Sequence, residues 1–447
     1  MKANVKTIRN KSTAQPCIKY EDFAKLMNNV GPFEKKPQMA VAVSGGADSM
    51  ALCLLANKWA KKQGGKIIAL TVDHGLREES KYEAKKVKEW LQKYNITHNI
   101  LTHSGNKPQA NVQGEARKIR YGLLTDWCIK NNVIHLLVAH HLEDQAETFL
   151  MRLHRGSGVD GLSAMASVVA KGGIRIVRPL LSVDKEKLIN LLKAEKQEWV
   201  DDPSNLNEKY TRTNIRKMLT REKTSNLSIQ MAETAGIMKK ARLALESQTA
   251  KKMSMCVSLH EAGFCTINLN HFLKLDEEIA MRILSSCLTT ASGNIYTPRF
   301  EKLLNLFNSV KNSRINGNTL WGCKIFIKEE LLFIIRELSA MEEPIEISGK
   351  ILWDRRFKVN SKIKGLIIGS LSETGLQTLI KKKPELTKEV NLPRQVLYTF
   401  PVIRDRLENI VFVPHIHLGG EKQLENKVFC SFEPAKPLAG LPFGCYS

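Results

Sequence analysis

The sequence predicts an α/β fold: a parallel-sheet domain, then a mainly helical region, then a small mixed α/β end. Three observations carry this. Up to about residue 220, short apolar runs alternate with segments of helical period, and strands separated by single helices imply parallel βαβ units with right-handed crossovers. After Asp201-Asp202-Pro203-Ser204-Asn205 the texture changes to long helical stretches. A length of 447 residues, 43% hydrophobic and 25% charged, suits a folded chain of two or three domains.

Taken in order, Met39–Val43 is a short apolar run, followed by Ser44-Gly45-Gly46-Ala47-Asp48-Ser49 and an apolar-periodic segment from Met50 to about Lys61. That reads as strand, glycine turn, helix. Lys66–Val72 reads as a buried strand, and Ala84, Val87, Leu91 and Tyr94 mark one face of a helix. Ile96–Leu101 is a third strand, Val112–Ile129 a helix and Val133–Ala139 a fourth strand. Helices are expected over Ser228–Ser254 and Glu277–Thr289, and strands near Cys323–Ile327, Leu331–Ile335 and Ile410–Val413. Glu342-Glu343-Pro344 marks a second boundary. The expected division is an N-terminal extension (1–35), the parallel-sheet domain (36–220), a mainly helical central domain (221–340) and a mixed α/β end (345–447).

Lys and Arg total 68 against 45 Asp and Glu, giving a formal charge of +23. Such an excess on a globular body points to a polyanionic partner. Apolar runs such as Val133–Ala139 fall well short of the ~18 residues a membrane span needs. No apolar core of a secretory signal precedes Glu21, so no membrane association and a cytoplasmic location are expected. Nine scattered cysteines with no Cys-x-x-Cys pair indicate reduced thiols rather than a disulfide framework or zinc knuckle.

In open parallel sheets ligands sit at the carboxyl ends of the strands, and the unusual residues fall there. In Ser44–Ser49 the two glycines let backbone approach a ligand, and the amides opening the next helix favour phosphate. Ser44 and Ser49 offer hydroxyls; Asp48 suits Mg²⁺ better than phosphate. A plain glycine turn capped by Asp48 or Ser49 is the alternative, disfavoured by its place after a buried strand. The Gly-Lys-Ser/Thr ending of a Walker loop is lacking, so γ-phosphoryl transfer is not announced. Asp73 and His74 end the second strand. In the stretch His140–Glu147, Asp144 and Glu147 share one helical face. Two carboxylates near a triphosphate could hold Mg²⁺, or one could bind and deprotonate an ammonium substrate; a solvated acidic helix start is the bland alternative. Arg117, Lys118 and Arg120 with Tyr121, and Lys209, Arg212, Arg216 and Lys217, form two basic segments. Lys381-Lys382-Lys383 is by default a solvated charge run.

With these residues in place, Ser44–Ser49 resembles the PP-loop of the N-type ATP pyrophosphatases, whose domain is a Rossmann-like parallel sheet. Val72-Asp73-His74-Gly75-Leu76-Arg77, Ala116-Arg117-Lys118-Ile119-Arg120-Tyr121, His140-His141-Leu142-Glu143-Asp144-Gln145-Ala146-Glu147-Thr148, Arg155-Gly156-Ser157-Gly158, Arg178-Pro179-Leu180-Leu181 and Asp202-Pro203-Ser204-Asn205 resemble, in order, the lysidine-forming ligases of isoleucine tRNA. Weaker likeness continues through Thr297-Pro298-Arg299-Phe300 and Trp353-Asp354-Arg355-Arg356-Phe357. Glu143 stands where the family commonly has Asp.

The resemblance implies an ATP-dependent reaction, with AMP and pyrophosphate as products. The C2 oxygen of the wobble cytidine of the CAU-anticodon isoleucine tRNA is adenylylated, and L-lysine then displaces AMP. It implies ATP binding by Ser44, Gly45, Gly46, Ala47, Asp48, Ser49, Asp73 and His74, and catalytic roles for Asp48, Asp144 and Glu147. Lysine is expected on Glu147 and Arg212, tRNA on Arg117, Arg120 and Arg216, and Mg²⁺ on Asp48 and Asp144. Two other readings stand beside it. A PP-loop tRNA thiolase would normally carry a catalytic cysteine or Cys-x-x-Cys cluster ligands, and a non-catalytic RNA binder would not need the intact Ser44–Ser49 turn with Asp73, Asp144 and Glu147.

Overall fold

The computed structural model describes residues 17–73, 79–103, 112–200, 225–384, 390–416 and 427–439. The chain divides into two compact units, one of Met1–Ala244 with Leu441–Ser447 and the other Leu245–Gly440.

The first unit is built on a six-stranded sheet of β1 (Gln38–Ala42), β2 (Lys66–Asp73), β3 (Thr97–Thr102), β4 (His135–Leu137), β5 (Val168–Lys171) and β6 (Ile174–Val177). Their order is β3-β2-β1-β4-β6-β5. β1 runs parallel to β2 and β4, β2 to β3, and β4 to β6, while β5 closes the edge as an antiparallel hairpin with β6. Helices connect the strands: α2 (Ala47–Lys62), α3 (Glu79–Gln92) and α4 (Val112–Lys130), with α5 (Leu142–His154), α6 (Val159–Leu162) and α7 (Lys185–Ala194) around the hairpin and α1 (Tyr20–Asn29) before β1.

The central strands are apolar on both faces because helices cover both faces. Met39, Val41, Ala69 and Leu137 belong to one core with Phe23 and Met27 of α1, Leu52 and Ala56 of α2, and Leu188 of α7. Ala40, Leu70, Leu136 and Val138 belong to the other, with Tyr121, Leu124 and Cys128 of α4. Alternate residues of one strand thus serve two cores, as the two-residue strand repeat requires. Phe23 and Met27 are fully buried, so the described part of the stretch set apart as 1–35 shares the core of the sheet.

The predicted α/β class and the order of elements from β1 to α4 hold. Three details differ. The fourth strand has three residues rather than seven, because its ladder with β1 and β6 covers only His135–Leu137. Tyr94 lies beyond the end of α3. The β5–β6 hairpin was not anticipated; Gly172 and Gly173, at φ 58° and 84°, supply the left-handed turn that joins it.

The second unit carries a five-stranded antiparallel sheet, β7-β8-β11-β10-β9, spanning Val257–His260, Phe264–Asn268, Leu331–Arg336, Cys323–Lys328 and Asn316–Leu320 in that order. The helices Glu277–Ser292 and Phe300–Lys311 pack on it with Ile267, Ile325, Leu332 and Ile334. Two smaller antiparallel sheets follow: β12 (Ile345–Glu346), β15 (Ile367–Ser370), β16 (Pro401–Arg404) and β17 (Ile410–Phe412) in that order, and β13 (Lys350–Trp353), β14 (Phe357–Ser361) and β18 (Val428–Phe432). The strands expected at 323–327, 331–335 and 410–413 are present as β10, β11 and β17 (Ile410–Phe412).

Candidate nucleotide site

The turn after β1 is fixed by its own side chains. Ser49 Oγ donates to the Gly46 carbonyl at 2.9 Å and accepts the Ser44 amide at 3.1 Å, and the two serine hydroxyl oxygens lie 3.2 Å apart. Gly45 sits at φ 87°, and a Cβ there would lie 3.0 Å from Val87 Cγ2 and 3.4 Å from Val200 Cγ2. Only glycine meets that backbone angle and that crowding without strain. The Gly45 carbonyl accepts the Val200 amide at 2.9 Å, and α2 begins at Ala47 with its first amides turned to the turn.

Beside this turn, at the carboxyl ends of β1, β2 and β4, lies a cavity of about 390 Å³. Ser44, Gly46, Asp48 and Ser49 form one wall, and Arg120, Tyr121 and His140 face it. The volume and the polar donors suit a small phosphorylated ligand. The Arg117 and Arg120 guanidinium groups lie 5.2 and 5.4 Å from the Tyr121 ring centre. Burial and the Arg178, Arg117 and Arg120 charges outweigh nearby Asp144 and push the His140 imidazole down to about 3, so it is neutral at physiological pH.

Next to the cavity the N-termini of α2, α5 and α7 meet in a closed circuit of charged groups. His141 Nε2 is 3.5 Å from Oδ2 of both Asp48 and Asp144, and its Nδ1 is 2.8 Å from Glu143 Oε2. The Lys185 amide donates to both Glu143 oxygens at 3.2 Å, and Lys185 Nζ returns to Asp48 Oδ2 at 3.6 Å. Burial works against charge on the His141 ring, yet its bonds to Asp48 and Glu143 and the Asp144 charge push it up to about 10. His141 is therefore an imidazolium. Burial also works to raise the Asp48 carboxyl, but His141 and Lys185 hold it below the usual carboxylate range. Among the described residues, Asp48 Oδ1 is buried with no hydrogen-bond partner.

That oxygen decides how a Mg²⁺ ion would fit. No group of three or more His, Cys, Asp or Glu among the described residues is placed to hold a metal, so an all-protein cage is absent from them. Mg²⁺ in nucleotide sites commonly uses one or two carboxylates with substrate phosphates, and Asp48 Oδ1 meets that need. Asp144 Oδ2 instead accepts the His141 amide at 3.1 Å and faces the imidazolium.

The structure thus brings Ser44, Gly46, Asp48, Ser49 and Arg120 to one cavity. Gly45 and Ala47 complete the turn without lining it. Asp73 is buried at the end of β2, and Asp144 and Glu147 are buried along α5; none of the three lines the cavity. Arg117 is exposed on α4. His74, Arg212 and Arg216 lie outside the described residues. Sequence reasoning assigned no part to His141 or Lys185 and took Glu143 as a tolerant position. The doubled histidine before an acidic helix start was the available signal for His141; Lys185 gave none.

A PP-loop domain family matches residues 18–223. The tRNA(Ile)-lysidine synthase of Wolbachia pipientis wMel is 38% identical over 404 residues, covering 88% of this chain and 92% of the relative. That of Wolbachia sp. subsp. Brugia malayi (strain TRS) is 36% identical over 412 residues, covering 90% and 93%. That of Orientia tsutsugamushi (strain Boryong) is 33% identical over 432 residues, covering 92% and 97%.

Proposed function

The chain belongs to the family of tRNA(Ile)-lysidine synthases, and we propose that its PP-loop cavity is where ATP activates the wobble cytidine of the CAU-anticodon isoleucine tRNA for attack by L-lysine. The protein is an ATP-using ligase that forms lysidine. The observation that carries the site assignment is the serine-locked turn opening α2 beside a cavity walled by Asp48, Arg120 and His140.

In this reading the phosphates of ATP lie against the α2 amides and the Ser44 and Ser49 hydroxyls, and we assign Gly45, Gly46, Ala47, Asp73 and His74 to ATP binding with them. The cytidine C2 oxygen attacks the α-phosphorus, an O–P bond forms, and the bond to pyrophosphate breaks. Asp48 would hold Mg²⁺, which supplies neutralisation of charge on the phosphates. The lysine ε-amine then bonds to C2, the C2–oxygen bond to AMP breaks, and the nitrogen loses its proton to a carboxylate. With a reference pKa near ~10.4 the amine needs such a base at neutral pH. Glu147 and Asp144 are the acids we assign to the lysine ammonium groups, Arg212 the cation for its carboxylate, and Arg117, Arg120 and Arg216 the contacts to tRNA. Among the described residues no helix is long and apolar enough to cross a membrane; we place the enzyme in the cytoplasm with its tRNA.

The test is incubation with labelled lysine, ATP and the CAU-anticodon tRNA. Label in the wobble nucleoside with matching AMP and pyrophosphate is the expected result. ADP as the main product, or sulfur rather than lysine in the nucleoside, overturns the reading.

A further inference from the structure

We infer that Lys185 is a positioning residue for the nucleotide reaction, holding the Asp48 carboxylate in one orientation at the cavity wall. The inference rests on the ATP reading of the cavity and goes beyond it, since nothing in the turn or its motif points to α7.

Lys185 is absent from the lining of the nucleotide cavity, whereas Asp48 lines it. Its ammonium, 3.6 Å from Asp48 Oδ2, shares that oxygen with His141 Nε2 at 3.5 Å. Two cations facing one oxygen favour a single orientation of the carboxylate electrostatically, and its Oδ1 remains buried and unbonded among the described residues. Lys185 is itself anchored through its backbone. Its amide holds both oxygens of Glu143, and Glu143 grips the far side of the same imidazole that bonds Asp48. Three helix starts, far apart in the chain, are thereby tied into a loop of contacts that ends on one carboxylate. The arrangement answers a chemical need, because a loop without a Walker lysine has no cation of its own to hold its acid in place, and an error of ~1 Å in a reacting group can cost ~10²-fold in rate.

A residue acting through Asp48 alters the rate of adenylylation rather than capture of ATP. Lys185→Met keeps the length of the side chain and removes its charge; Lys185→Arg keeps the charge. The experiment measures single-turnover formation of adenylylated tRNA without lysine, the KM for ATP, the Kd of a fluorescent ATP analogue, and thermal unfolding. Lys185→Met is expected to slow adenylylation about 10-fold or more with KM and Kd changed less than about threefold. Lys185→Arg is expected to restore the rate to within about threefold of the wild-type protein. Glu143→Gln, which loosens the same circuit from its other side, is expected to reproduce the rate loss in milder form.

Three outcomes overturn the inference: an unchanged rate in Lys185→Met, a loss confined to KM and Kd, which makes Lys185 a direct phosphate ligand, and a loss that Arg does not restore while unfolding temperature falls. Failure of the wild-type protein to form any adenylate would instead overturn the ATP reading itself, so the two failures are distinct.

Discussion

Asp48 is one carboxylate with two surroundings, one oxygen facing the His141 and Lys185 cations and the other buried without a hydrogen-bond partner among the described residues. Asp48→Asn keeps the shape and removes the charge, so adenylylation should fall about 10²–10³-fold, as when a fixed electrostatic group is lost, while the circular dichroism spectrum stays that of the wild type. Retention of more than a tenth of the rate would contradict this role. The Ser44–Ser49 turn was legible because its chemistry is local, all within six consecutive residues. The grip on Asp48 was not, because Lys185 reaches it only through the packing of α7 beside α2. A second residue with a readable consequence is His98, whose Nε2 lies 2.8 Å from Thr71 Oγ1 on the neighbouring strand of the parallel sheet. Burial, helped by the Lys88 charge, pushes it from 6.5 down to about 4. The unfolded chain therefore binds a proton between those values that the folded one refuses. The stability from neutral His98 is complete above about pH 6.5 and drains away as pH falls toward 4. Urea titrations at intervals over that range should show a steeper loss for the wild type than for His98→Gln; equal slopes would remove His98 from the account.

Elements were legible where they are long and apolar, and illegible where they are short or where their partner is distant in sequence. β1 and β2 announced themselves as unbroken hydrophobic runs because α-helices bury both of their faces. β5 and β6 have four residues each, too few to show a period, and their meaning as a sheet edge comes from β6 pairing with β4. The Trp353–Phe357 motif is a clearer case. It reads as a charged stretch, yet Asp354 is fully buried in the turn from β13 (Lys350–Trp353) to β14 (Phe357–Ser361). There it accepts from Arg336 of β11 at 3.1 Å and from Arg356 Nε at 2.8 Å. Arg356 continues to the carbonyls of Gly263 and Ala291 at 3.0 and 2.8 Å. One acid thus pins the five-stranded sheet, the helix ending at Ser292 and the β13–β14 hairpin together. Asp354→Ala leaves two buried guanidinium groups without their counter-charge and should destabilise the second unit by about 3–5 kcal/mol, the usual cost of breaking a buried pair from one side. Chemical denaturation followed by circular dichroism measures it, and a change below about 1 kcal/mol would show that the arginines find other partners.

At the scale of the whole molecule the governing fact is the formal charge of +23. A single ATP cannot account for it, because one small anion engages only the few cations around one cavity. A tRNA presents a phosphate at every nucleotide, and each phosphate neutralised by Lys or Arg releases bound counterions, so affinity falls with salt by a log–log slope of about −0.7 to −0.9 per contact. For this enzyme tRNA binding should weaken steeply between low and physiological salt, while binding of an ATP analogue weakens several times less. The charge run at Lys381-Lys382 gives the effect an address. Both side chains are exposed in the last turn of the helix Ser372–Lys382, free of any role in a core, so replacing them leaves folding undisturbed. If both touch phosphate, Lys381→Ser with Lys382→Ser should reduce the magnitude of the tRNA slope by roughly 1.4–1.8, twice the single-contact value. The ATP-analogue Kd and the single-turnover rate at saturating tRNA should remain as in the wild type. A slope unchanged by the double substitution would return this run to the solvent and leave the polyanion contact to the other basic faces, Arg117 and Arg120 on α4 first among them.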